Sequence, residues 1–123
     1  MESKDLAILA ARAMDQRNGS KITVLKVEDL SSLTDYFVVG TGASRVQTQS
    51  MADNIDDELE KAGVLSRRIE GMQEGRWILM DFGQIIIHIF QEDERNFYNL
   101  ERLWADAPAL PREEIFPEKG PEE

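Results

Sequence analysis

The chain has 123 residues, close to the roughly 150 of an ordinary single domain and too few for two cores. With 41% hydrophobic and 31% charged residues the composition is globular, and no apolar run approaches the roughly 18 residues of a membrane span. Fourteen Lys and Arg against 24 Asp and Glu give a net charge of −10 at pH 7, which repels phosphate backbones, argues against direct nucleic-acid binding and favours basic partners.

Leu6, Leu9, Ala10, Ala13 and Met14 recur at helical spacing, which predicts a helix over Lys4–Arg17 with Ser3 as its cap and Asn18-Gly19 as its stop. Lys21–Val27 is rich in β-branched residues and reads as a strand. After a polar connector, the continuous apolar run Tyr36–Val39 reads as a strand covered on both faces and central in its sheet. Ser44-Arg45-Val46-Gln47 has the form of a capping box. It opens a long helix whose apolar face runs through Val46, Met51, Ala52, Ile55, Leu59 and Ala62 and which stops at Gly63.

Leu65–Glu70 is predicted as a short charged edge strand, with Arg67 and Arg68 discouraging edge pairing, and residues 71–75 as a loop. Arg76–Asp81 and Gln84–Phe90 flank Phe82-Gly83, the pattern of a tight hairpin. Strand alternation then puts Trp77, Leu79 and Asp81 on one face with Ile86, His88 and Phe90, opposite Ile78, Met80, Ile85, Ile87 and Ile89. Both faces are apolar enough to be covered, one by helices and the other by a partner. A final helix is expected over Asp93–Trp104, on the stripe Phe97, Leu100, Leu103 and Trp104. From Asp106 the chain carries Pro108, Pro111, Pro117 and Pro121 with six acids and two bases, a composition that predicts a mobile acidic tail. The order α-β-β-α-β-β-β-α describes one α/β (α+β) domain around a mixed five-stranded sheet.

Candidate chemistry is sparse. With no cysteine there is no thiolate nucleophile or disulfide, and an N-terminus without a long apolar stretch argues against a secretory signal, consistent with the cytoplasm. Gly40-Thr41-Gly42 lies between strand and helix, where phosphate-binding glycines sit. The third glycine of such a motif would fall on Arg45, so a tight turn is the better reading. Asp53, Asp56 and Asp57 share one side of the long helix, the ordinary arrangement of a solvated face. His88, the single histidine, has no second histidine or cysteine to complete a zinc site, although Asp81 stands on the adjacent strand. A satisfied histidine or an interface residue is favoured over a general base. No cofactor or metal site is expected. Trp77, Phe90, Tyr98 and Trp104 are the better clue, because aromatic residues around a hairpin are common anchors of interfaces.

Several motifs occur together in order: Thr34-Asp35-Tyr36-Phe37-Val38-Val39-Gly40-Thr41-Gly42, Ala52-Asp53, Gly63, Glu70-Gly71, Trp77-Ile78-Leu79-Met80-Asp81-Phe82-Gly83, His88-Ile89-Phe90 and Arg95 to Trp104 (RNFYNLERLW). Over about Leu6 to Ala107 this set resembles the ribosomal silencing factor family, also called Iojap-like, and only the acidic tail falls outside. The resemblance implies a nucleotidyltransferase-like fold without that activity. It also implies a repressor that binds the large ribosomal subunit through ribosomal protein L-fourteen and blocks joining of the small subunit when nutrients are scarce. A tendency of the free protein to dimerise is implied as well. One position departs from the family: the residue after Gly83 is commonly acidic, whereas Gln84 stands here.

The expected domain is therefore residues 1–107, followed by a flexible tail over 108–123. The expected partner face is Trp77, Leu79, Asp81, Ile86, His88 and Phe90, extended by Tyr98 and Trp104, with acidic groups around apolar anchors. The alternatives are a nucleotidyltransferase-like enzyme, which would need clustered strand carboxylates for magnesium where only Asp81 is offered, and an acidic adaptor working away from the ribosome.

Overall fold

The structure is a computed structural model that describes residues 1–98 and 105–119. Its elements are α1 (Ser3–Asp15), β1 (Ser20–Lys26), β2 (Tyr36–Gly42), α2 (Arg45–Lys61), β3 (Arg68–Glu70), β4 (Trp77–Asp81), β5 (Ile85–Gln91), α3 (Glu92–Tyr98) and a one-turn helix α4 (Arg112–Ile115), followed by a 3-10 turn at Pro117–Lys119. The five strands form one mixed sheet in the order β1-β2-β5-β4-β3. β2 runs parallel to β5, and the other neighbours are antiparallel. The sheet and its helical cover agree with the expected class.

The local signals explain most boundaries. α1 starts after Glu2, which provides no side-chain cap, while the Ser3 hydroxyl donates instead to the Asp35 carboxylate. The helix ends at Asp15, two residues before the predicted Arg17, and the predicted stop follows: Asn18 takes φ +63° and the Gly19 N–H returns to the Met14 carbonyl at 3.0 Å. β2 is buried along its whole length, as its continuous apolar run requires, yet β5 rather than β2 is the middle strand. The β4–β5 hairpin closes with the Phe82 N–H on the Ile85 carbonyl at 3.0 Å and Gly83 at φ +84°, a conformation glycine adopts without steric cost.

One face of the sheet carries the main core. Val24, Val38, Ile78, Met80, Ile85, Ile87 and Ile89 pack there against Leu6, Ala10 and Met14 of α1 and Met51, Ile55 and Leu59 of α2. The expected stripe of α2 shifts slightly: Val46 is 72% exposed, whereas Thr48 and Asn54 are buried. Both buried groups are hydrogen-bonded, Thr48 Oγ1 to the Gly75 carbonyl at 2.7 Å and Asn54 Nδ2 to the Ala13 carbonyl at 2.9 Å, which is what allows polar side chains on that stripe.

The chain after Ala107 departs from expectation. Instead of leaving the surface, it crosses the outer edge of β1, where Ala109 bridges Leu25, and buries Ile115 and Phe116 to 3% exposure in the main core beside α1. Composition misleads here because two apolar residues at one point, with ion pairs around them, suffice to hold a short segment to a surface already built by the rest of the chain. The predicted helix over Asp93–Trp104 is present as α3 to Tyr98, and its remainder lies outside the described residues.

Candidate protein-interaction face

The second face of the sheet is built by the alternation read from the hairpin. Trp77 pairs with Phe90, Leu79 with His88, and Asp81 with Ile86 across β4 and β5, so these six residues share one face. The parallel register of β2 adds Phe37 opposite Ile86 and Val39 opposite His88. Leu25, Val27, Phe37, Val39, Phe90 and Ala107 form a buried cluster there, with Trp77 and Ile86 packed against it.

The expected residues fall into two layers. Phe90 has no exposed surface and His88 only 5%, so both lie in the floor of the face. Trp77, Leu79, Asp81 and Ile86 are half-buried and form the accessible layer. The side chain of Tyr98 and the whole of Trp104 lie outside the described residues.

The floor is an aromatic cluster. The Trp77 and Phe90 rings are 5.0 Å apart, Phe37 meets His88 edge-on at 5.2 Å, and His88 lies nearly parallel to Phe90 at 6.1 Å. Trp77 Nε1–H donates to His88 Nδ1 at 3.0 Å, which makes His88 a neutral acceptor. Burial holds its pKa down to about 4, since desolvation disfavours the imidazolium. The partner of His88 is thus Trp77 and not Asp81, which stands opposite Ile86 and whose Oδ1 accepts the Gly83 N–H at 2.8 Å. A shallow depression of about 210 Å³ lies beside the face, lined by Glu70, Trp77 and Leu79. Glu70 reaches it because β3 places it opposite Leu79.

The other candidate sites resolve as structure. A Cβ on Gly40 would meet Met14 Sδ at 2.4 Å, so this glycine admits α1 against β2 and does not open a phosphate cradle. Ser44 Oγ accepts the Gln47 N–H at 3.1 Å as expected of the cap, whereas Gln47 Oε1 reaches past the cap residue to accept the Ala43 N–H at 2.6 Å. Asp53 and Asp57 are exposed, and among the described residues no three His, Cys, Asp or Glu side chains come together to hold a metal. Among the same residues no helix is long and apolar enough to cross a membrane.

Two contributors were missed in the sequence. Phe37 enters through the parallel register of β2 and β5, which links strands distant in the chain. Arg95 is buried to 6% and reaches from α3 to the Lys21 carbonyl, to Thr41 Oγ1 at 2.8 Å and to Thr23 Oγ1 at 3.4 Å. It ties α3 to the ends of β1 and β2, and an arginine in a charged stretch carries no sign of such burial.

The family model described as "Ribosomal silencing factor during starvation" matches residues 1–123. The chain belongs to the ribosomal silencing factor family. It is 40% identical over 108 residues to the ribosomal silencing factor of Bacillus subtilis, covering 88% of this chain and 92% of the relative. It is 42% identical over 92 residues to that of Haemophilus influenzae, covering 75% and 90%. A crystal structure of a Chromobacterium violaceum protein superposes with a TM-score of 0.83 at 32% identity, covering 85% of this chain and 88% of that one. The family match takes in the C-terminal segment that the sequence motifs left aside, in keeping with its place against the ribosomal silencing factor core.

Proposed function

We propose that this protein regulates translation on the ribosome during starvation, as a cytoplasmic repressor that binds the large subunit through ribosomal protein L-fourteen and blocks joining of the small subunit. Family membership supports the ribosomal setting. The observation that carries the mode of action is the second sheet face, where half-buried Trp77, Leu79 and Ile86 stand on a buried aromatic floor. A half-buried tryptophan held against aromatic neighbours is a usual form of interface anchor. Asp81 and Glu70 border it, and the net charge of −10 suits a basic ribosomal protein.

His88 and Phe90 act in this reading by holding Trp77 rather than by contact, and Tyr98 and Trp104 are proposed as further contacts of the partner. The free protein forms a homodimer across the same face, since an uncovered apolar surface favours self-association, and the ribosomal partner displaces the second copy. The protein acts without catalysis.

Gradient sedimentation with isolated large subunits, followed by addition of small subunits, tests this. Co-migration with large subunits as one protomer and loss of the joined ribosome are expected. Absence of co-migration by folded protein overturns the repressor reading, and a stable dimer on the subunit overturns the shared face.

A further inference from the structure

We propose that residues 107–119 form a charge-latched strap, a segment that opens and closes on the domain by itself and, through Ala107, sets how firmly the Trp77 face is held. The strap begins on the second face, with Ala107 in the cluster of Leu25, Val27, Phe37, Val39 and Phe90. It then covers the outer edge of β1: the Lys26 N–H donates to the Pro108 carbonyl at 2.8 Å, and the Leu110 N–H to the Val24 carbonyl at 2.9 Å. Finally it drops Ile115 and Phe116 beside α1. One short segment therefore touches both faces of the sheet across its edge.

Its side-chain polar fastening is charge. Lys4 pairs with Glu114, Arg12 with Glu118 at 3.0 Å, and Lys119 with both oxygens of Asp15 at 2.7 Å, while Arg12 also donates to the Ile115 carbonyl at 2.9 Å. Arg112 and Lys119 lie over the Phe116 ring at 5.5 and 4.9 Å. The ion pairs are partly exposed, so each is weak alone and screened by salt. An open groove of about 200 Å³ runs along this edge, between Ile22 and Thr23 of β1 and Leu110 and Arg112 of the strap. A short segment held by two core side chains, two backbone hydrogen bonds to an edge strand and partly exposed ion pairs has the properties of one that opens below the free energy of global unfolding.

Asp15 points the same way. It is the last residue of α1, where the helix dipole disfavours a negative charge, and the Lys119 ammonium compensates it. Asp15→Lys therefore suits the helix while it repels the strap, so a loss of the latch in this variant is not a loss of α1. Adding Lys119→Asp restores the pair with its signs exchanged.

Hydrogen exchange on the full chain tests the latch. Lys26 reports strap opening, because its amide bonds to Pro108, while Val38 and Ile87 on the interior strands report global opening. In the parent, Lys26 is expected to exchange faster than both and faster still in salt. Asp15→Lys should raise its rate about five- to tenfold, the equivalent of one exposed ion pair lost and one repulsion gained, and the exchanged pair should restore it. Lys26 exchanging together with Val38 and Ile87 in parent and variants overturns the latch. The link to the Trp77 face rests on the function proposed above and is read from retention of the same proteins on large subunits: weaker for Asp15→Lys and restored by the exchanged pair. Equal retention overturns the link, whereas failure of the parent to bind overturns the functional reading and leaves the exchange result to decide the latch.

Discussion

The Trp77 indole donates its N–H to Nδ1 of His88 at 3.0 Å, one residue half-open to solvent and the other 5% exposed. This bond joins the accessible layer of the second face to its floor. It makes the orientation of the indole depend on the protonation state of a buried histidine, and it separates two roles of Trp77 that mutation can distinguish.

Trp77→Ala removes the accessible ring. It should weaken large-subunit binding by about 2 kcal/mol or more, as for a central aromatic anchor, with circular dichroism still native. Trp77→Phe keeps a ring but leaves His88 Nδ1 without that donor, for a stability loss of about 1–3 kcal/mol and a smaller effect on binding. Chemical denaturation beside sedimentation separates the two, and a melted Trp77→Ala domain would identify the indole as core.

Acid should destabilise the domain through His88. Burial lowers its folded pKa from 6.5 to about 4, so between these values the unfolded chain binds the proton more readily. The contribution is complete above about pH 6.5, falls as pH drops, and is gone by about pH 4, amounting to roughly 3 kcal/mol. Unfolding free energy measured across this range should slope upward with pH, and His88→Gln should flatten that slope.

Gly71 has φ +79°, and a Cβ there would stand 2.1 Å from the Trp77 carbonyl oxygen. Backbone cannot yield as a side-chain tip can. Gly71→Ala should therefore cost more than the about 1 kcal/mol of an ordinary left-handed glycine replacement and should shift the start of β4. Thermal unfolding, with indole fluorescence as a local reporter, checks both effects.

Gln47 joins two helix ends. Its Oε1 accepts the Ala43 N–H, and its Nε2 donates to the Arg17 and Asn18 carbonyls at 3.1 and 2.8 Å. Ser44→Ala removes one cap bond and should cost about 1 kcal/mol. Gln47→Ala removes bonds at the start of α2 and beyond the end of α1, and at about 1 kcal/mol each it should cost more than Ser44→Ala in denaturant titrations.

Alternation in two apolar strands around Phe82-Gly83 determined the hairpin, its faces and the grouping of Trp77, Leu79, Asp81, Ile86, His88 and Phe90, because a strand's side chains have a period of two wherever the strand is placed. Helix periods and the Ser44 cap likewise determined α1 and α2 within a few residues, since these are local properties of the backbone. Only the tertiary structure decided which of the six are floor and which are surface, because burial depends on strands far apart in sequence, as when β2 brings Phe37 over His88. It alone decided the place of the chain after Ala107. Average composition describes that segment as one that cannot fold alone, whereas Ile115, Phe116 and the Asp15–Lys119 pair need only a surface that the rest of the protein has already made.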